Sequence, residues 1–230
     1  VLPLRDNVPT RSFPVVTVGL IAANFAVFLW ELRAGAARAD HYAYYPCSVS
    51  GPCLGPLATH HLPVWQEAFS SMFLHASWLH ILGNMLFLWI FGNNVEDALG
   101  RLRFLLWYLA AGLAATAAQT FVTLHYASVQ DASVPNLGAS GAIAGVLGAY
   151  MLLLPDASVL TLVGFFVVPV PAFLFLGFWF LLELWEAGFS VTHPAAGGGV
   201  AFSAHVGGFL FGAVTVSLVA RRPPLRPSRR

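Results

Sequence analysis

Six long, mostly apolar stretches of this chain carry no Asp, Glu, Lys or Arg: residues 12–30, 68–95, 104–130, 132–155, 157–182 and 187–220. Uncharged runs of this length constrain the fold more than any other feature, because a helix needs about 20 apolar residues to cross the hydrocarbon of a bilayer. Composition agrees, with 58% of the 230 residues hydrophobic and 9% charged, against roughly 25% charged in a soluble domain. In lipid every backbone N–H and C=O must find its partner inside the protein, so a span is a helix or part of a closed barrel. These runs are too long and too evenly apolar for barrel strands. The expected class is an all-α membrane protein, a single domain over residues 1–230 with six transmembrane helices at about 13–32, 77–96, 102–124, 138–154, 171–187 and 203–220.

Orientation follows from arginine, since the chain has no lysine. Arg5 and Arg11 precede the first span, Arg101 and Arg103 join the second to the third, and Arg221, Arg222, Arg226, Arg229 and Arg230 follow the sixth. Basic residues collect on the cytoplasmic side. Both termini are therefore expected there, with only Arg33 and Arg38 outside, and the second, fourth and sixth spans enter the membrane from the outer face. The formal net charge of +1 speaks against a nucleic-acid partner, and the arginines of the C-terminal PPLRPSRR read as a topology anchor and a contact for lipid headgroups. The first span lacks a small-residue cleavage pattern and is expected to act as its own signal anchor. The near absence of soluble decoration points to a prokaryotic plasma membrane.

The outer loop between the first and second spans holds the only cysteines, Cys47 and Cys53, in YPCSVSGPC. On an oxidising face a local disulfide is expected. The alternative, a metal site completed by His41, His60 or His61, has no regular ligand spacing behind it, so no metal and no cofactor is expected. In the same loop VWQEAFSSMFL, residues 64–74, is too short to span and reads as a helix lying in the interface. The stretch TLVGFFVVPVPA, residues 161–172, carries Pro169 and Pro171 and reads as a re-entrant or interfacial connection before the fifth span.

Polar side chains gather at one depth. Ser140, in NLGASGAIAG, lies near the start of the fourth span, and His205, in SAHVGGFLFG, near the start of the sixth. In WLHILGNM, His80 and Asn84 stand four apart on one face of the second span. Gly141 and Gly145, and Gly208 and Gly212, form two GxxxG pairs that let the fourth and sixth spans approach closely. A lone serine in such a stripe is usually a packing residue. Two histidines and an asparagine at the same depth change that reading, because polar groups in lipid are costly and tend to be functional. A serine hydroxyl needs a neighbouring base to become a nucleophile, histidine is the usual one, and the oxyanion formed by attack on an amide needs fixed donors. No acidic residue falls inside the fourth or sixth span, so a two-residue site is expected, with Glu183 in the fifth span taken as an interfacial carboxylate.

Taken together, GASG around Ser140, HILGN from His80 to Asn84, and AHVGGFLFG from His205 resemble the rhomboid family of intramembrane serine proteases, and the similarity extends over all six spans. The resemblance implies Ser140 as nucleophile and His205 as base. It also implies His80 and Asn84 as oxyanion stabilisers, joined by backbone at Gly138 and Ser140, and single-span membrane proteins as substrates. His75 and Glu96 match family positions that look structural. Trp65-Gln66 stands where members often carry Trp-Arg, and Ala144 where some carry a tyrosine that packs on the base. The glycine-rich segment 192–204 before the sixth span is expected to cap the site. Two other functions compete: a silent rhomboid-like protein that binds membrane helices, which should lack the serine or the base, and a transporter or proton relay, which should show intramembrane carboxylates and repeat symmetry. No HExxH pattern is present to support a metalloprotease.

Overall fold

The structure, a computed structural model, describes residues 2–54, 62–192 and 201–227. His60 and His61 and most of the segment expected to cap the site lie outside the described residues. The chain is a helical membrane bundle with a small antiparallel sheet at one end. In order it runs β1 (Leu2–Asp6), α1 (Val15–Ala34), the short helices α2 (Ala36–Asp40) and α3 (Cys47–Ser50), and α4 (Val64–Ser70), which a 3₁₀ turn extends to Phe73. Next come α5 (Trp78–Phe87), a π turn over Leu88–Gly92, α6 (Asn93–Leu99), α7 (Arg101–Tyr126) and the single-turn α8 (Val129–Ala132). The last elements are α9 (Ser140–Leu153), β2 (Ser158–Val163), β3 (Phe166–Pro171), α10 (Ala172–Thr192) and α11 (Phe202–Val219).

Each of the six expected spans is helical over nearly all of its length. Among the described residues four helices, α1, α7, α10 and α11, are long and apolar enough to cross a membrane. The segment Trp78–Leu99 makes an angle of 85° with Val64–Phe73, as an interfacial helix turning into a span would. The shortest is α9. Its 14 residues rise only about 21 Å at 1.5 Å per residue, against a hydrocarbon layer of about 30 Å. It is also the most enclosed, with Gly141 through Tyr150 all buried. A helix shorter than the bilayer and ringed by longer ones holds at least one of its ends below the membrane surface.

Chain ends and turns explain the boundaries. Ser77 caps α5, its hydroxyl accepting the His80 N–H at 3.2 Å, as serine does at helix starts. At the start of α1 the cap comes from a neighbouring helix: the buried Glu96 carboxylate accepts the N–H groups of Val16 and Thr17 at 3.0 and 2.8 Å and the Thr17 hydroxyl at 2.8 Å. A carboxylate at a helix N-terminus satisfies amides that have no partner within the helix and meets the positive end of the dipole.

The sheet, in the order β1-β2-β3, corrects one expectation. Residues 161–172, expected as a re-entrant or interfacial connection, are mostly a β hairpin, turning at Gly164, whose φ is +60°. The valine-rich β2 is central, and the prolines are tolerated because β3 pairs on one side only, which leaves an edge where a missing N–H costs no ladder bond. At the same end of the bundle, Asp6 accepts from Asn94 at 2.9 Å and from the Tyr150 hydroxyl at 2.6 Å. Arg11 pairs with Asp97 at 2.7 Å and donates to the Pro223 carbonyl at 2.8 Å, while the N–H groups of Arg221 and Arg222 reach Ala98 O at 3.0 and 3.2 Å. The segments before α1 and after α11 thus meet on one face.

Candidate active site

Helices α9 and α11 touch along their glycines. A methyl group built on Gly208 would fall on the carbonyl oxygen of Gly141, one on Gly212 on that of Gly145, and one on Gly148 on that of Phe209. Backbone contact of this kind fixes the two helices axially as well as laterally, and it brings the residues beside the stripe together. Ser140, the first residue of α9, has its Oγ 2.8 Å from Nε2 of His205, in the first turn of α11.

The other expected polar residues converge from α5. The backbone at Gly138 has a φ of +121°, open to glycine and strained for any L side chain. A methyl there would lie 2.8 Å from His80 Nε2 and 3.7 Å from Asn84 Nδ2, so both side chains reach over the turn that leads into Ser140. Asn84 is itself held: its amide donates to His75 Nε2 at 3.0 Å, His75 Nδ1 faces Phe73 O at 3.2 Å, and the His75 N–H donates to the Glu31 carboxylate at 3.1 Å. The asparagine NH₂ has two hydrogens, so one remains for a ligand. His75 therefore orients the site from behind, in line with the structural role expected for it.

One implied role changes. The Gly138 N–H donates to Ser71 O at 2.8 Å and is spent within the protein, so what Gly138 contributes is space for His80. The Ser140 N–H sits in the first turn of α9, where amides lack an intrahelical acceptor, and stays in position as a donor. Beside it lies a cavity of about 40 Å³, bordered by Ser71, Gly138, Ser140 and Gln119. That is room for water next to the hydroxyl.

The expectation that no carboxylate reaches the histidine is also corrected. His205 Nδ1 is 2.7 Å from Oε2 of Glu183, and the two side chains are 13% and 14% exposed. One turn earlier on α10, Trp179 lies 6.1 Å from the His205 ring, centre to centre, and 6.0 Å from Phe209. Trp179 supplies an aromatic wall beside the ring, which Ala144 cannot. A sequence signal for this existed: Trp179 and Glu183 stand four apart, hence on one helical face, and Glu183 ends a charge-free run that begins at residue 157.

Away from the serine, Cys47 and Cys53 are joined, with their Cα atoms 5.3 Å apart. The bridge uses both sulfurs that the alternative metal site would have needed, and His41 packs edge-on against Tyr42 instead. Tyr44 ties this outer loop to the site, through paired backbone bonds with Asn136 and a 2.7 Å contact to Thr120 Oγ1.

A short recessed helix, a serine against a histidine and glycine-packed neighbours define a class of membrane protein that comparison with known families identifies. Residues 63–222 match the model of the Rhomboid domain, and the chain belongs to the rhomboid family of integral membrane proteins. It is 34% identical over 149 residues to Rhomboid protein 1, mitochondrial, of Saccharomyces cerevisiae, covering 62% of this chain and 38% of that one. It is 36% identical over 103 residues to presenilin-associated rhomboid-like protein A, mitochondrial, of Danio rerio, covering 45% and 25%. To the rhomboid protease GluP of Bacillus subtilis it is 41% identical over 87 residues, covering 38% and 15%. The chain spans less than half the length of each of these relatives, one of which bears the name of a protease.

Proposed function

We propose that this protein is an intramembrane serine endopeptidase that cleaves membrane-protein substrates in or near their transmembrane segments, with Ser140 as nucleophile and His205 as general base. The 2.8 Å contact between Ser140 Oγ and His205 Nε2 carries the reading. Oγ attacks the scissile carbonyl carbon as Nε2 takes its proton. The oxygen that becomes negative meets the Ser140 N–H, the Asn84 amide and, with its hydrogen on Nε2, the His80 ring. When the tetrahedral adduct collapses, the imidazolium returns the proton to the leaving amine, and water then releases the acyl group by the same steps in reverse roles.

In this reading residues 1–230 act as one membrane domain of six spans, with the arginine-rich face, including the segments before α1 and after α11, on the cytoplasmic side. The named relatives include mitochondrial and bacterial proteins, so the reading applies to a plasma membrane and equally to a mitochondrial one, where that face looks into the matrix.

A fluorophosphonate probe tests it. Only an activated serine attacks such a reagent at a useful rate, so peptide mapping of the labelled protein is expected to find the adduct on Ser140. An adduct on another serine overturns the assignment. For the oxyanion donors, Asn84→Ala and His80→Ala are each expected to slow substrate turnover by up to about 10²- to 10³-fold with the unfolding midpoint unchanged. Wild-type turnover in the double variant would remove both from the mechanism.

A further inference from the structure

We propose that Glu183 is a positioning residue for His205: its carboxylate accepts the Nδ1–H, fixes which ring nitrogen carries the hydrogen, and stabilises the imidazolium formed when Ser140 gives up its proton. The proposal rests on the serine protease reading and turns an expected pair into a three-membered relay of contacts, Ser140 Oγ to His205 Nε2 at 2.8 Å and His205 Nδ1 to Glu183 Oε2 at 2.7 Å.

Three observations carry it. First, the contacts engage opposite ring nitrogens. A neutral imidazole has one N–H and one lone pair, and a base for Ser140 needs the lone pair on Nε2. An ionised carboxylate can only accept, so Glu183 beside Nδ1 selects that tautomer. Second, the carboxylate points inward. Glu183 lies on α10, a helix with large exposed apolar side chains at Phe178, Leu181, Leu182, Leu184 and Trp185, yet its own side chain is 14% exposed. An ionised group kept among such neighbours is costly unless paired, and a carboxylate serving only the interface would turn toward water and headgroups. Third, α10 holds the ring from a second point, through Trp179 one turn away. With the tilted indole of Trp179 beside the ring and a hydrogen bond at Nδ1, little freedom remains about the His205 side-chain torsions, and Nε2 stays aimed at Ser140. The proton itself travels only between Ser140, His205 and the leaving amine.

The test compares wild type, Ser140→Ala, Glu183→Gln and Glu183→Asp as full-length protein in detergent, reading the maximal rate and half-saturating concentration of labelling by a fluorophosphonate. Glutamine keeps the shape but offers an NH₂ that can donate to Nδ1 and favour the wrong tautomer. The maximal rate is expected to fall roughly 10- to 10³-fold, less than the roughly 10⁴-fold loss for a fully buried aspartate in a soluble triad, with half-saturation within about twofold of wild type. Glu183→Asp, which restores the charge, is expected to label faster than Glu183→Gln. A glutamine variant labelling at the wild-type rate, or an aspartate variant no faster than glutamine, overturns the proposal while leaving the protease reading standing. If wild type labels no better than Ser140→Ala, the protease reading falls and takes this one with it.

Discussion

Replacing His205 with alanine is expected to lower cleavage of single-span membrane segments by about 10⁴- to 10⁶-fold, to the level of Ser140→Ala, and the double variant is expected to go no lower. Groups that act as a unit lose nearly all their contribution when any one is removed, and here the unit is tight, with Nε2 2.8 Å from Oγ. The alanine leaves the hydroxyl without an acceptor for its proton, and among the described residues no other base stands ready: His80 faces Gly138, and Gln119 accepts the Ala204 N–H at 3.1 Å. A library of single-span segments, followed by mass spectrometry of the products, makes the comparison across many candidate substrates at once. Turnover in His205→Ala within tenfold of wild type would remove the histidine as base, and Ser140 would return to being a packing residue.

Gly208→Ala is expected to be strongly destabilising, with a loss of about 3 kcal/mol or more and little folded protein for Gly208→Leu. Overpacking of a core usually costs about 1–3 kcal/mol because side chains can shift. Here the added carbon meets the carbonyl of Gly141, which belongs to a buried helix backbone and cannot rotate away. The two helices would have to separate, and with them Ser140 and His205. Gly177→Ala is the control, since nothing lies within 4 Å of a methyl at that position on α10; it is expected to be neutral or slightly stabilising, as alanine is the better helix former. Unfolding midpoints in denaturing detergent measure the difference, and equal midpoints for the two variants would show that α9 and α11 are not held by backbone contact.

Much of this was legible in the sequence because lipid enforces simple rules. Charge-free runs located the helices within a few residues, and small residues at GxxxG spacing marked the closest pair. The placement of Ser140, His205, His80 and Asn84 near the outer ends of their spans anticipated that they meet. What escaped has a common cause. Whether Glu183 faces the interface or His205 depends on the rotation of α10 about its own axis, and hydrophobicity leaves that nearly free, since α10 is apolar all round. The hairpin was hidden because β2 and β3 lack the alternation of polar and apolar residues that marks a half-solvated strand. The resemblance implies an oxyanion role for the Gly138 amide, and no local pattern records that its hydrogen goes to Ser71 O, 67 residues earlier in the chain.

The clasp at the arginine-rich face bears on how the chain assembles. Asn93–Leu99 is gripped from one side by Arg11 and from the other by the backbone of Arg221 and Arg222, and the Arg11 bond to Pro223 closes a loop of 212 residues. Contacts this far apart in sequence cannot form until α11 has left the ribosome, whereas Glu96 can seat the start of α1 once the second hydrophobic stretch has been threaded. Biogenesis is therefore ordered: the first hairpin of helices locks early, α9 is inserted into a half-built ring, and the arrival of α11 both delivers the histidine and latches the arginine-rich face. A nascent chain carrying the serine lacks the histidine until α11 has been made, so under the proposed function the site is incomplete while its own bundle is still open.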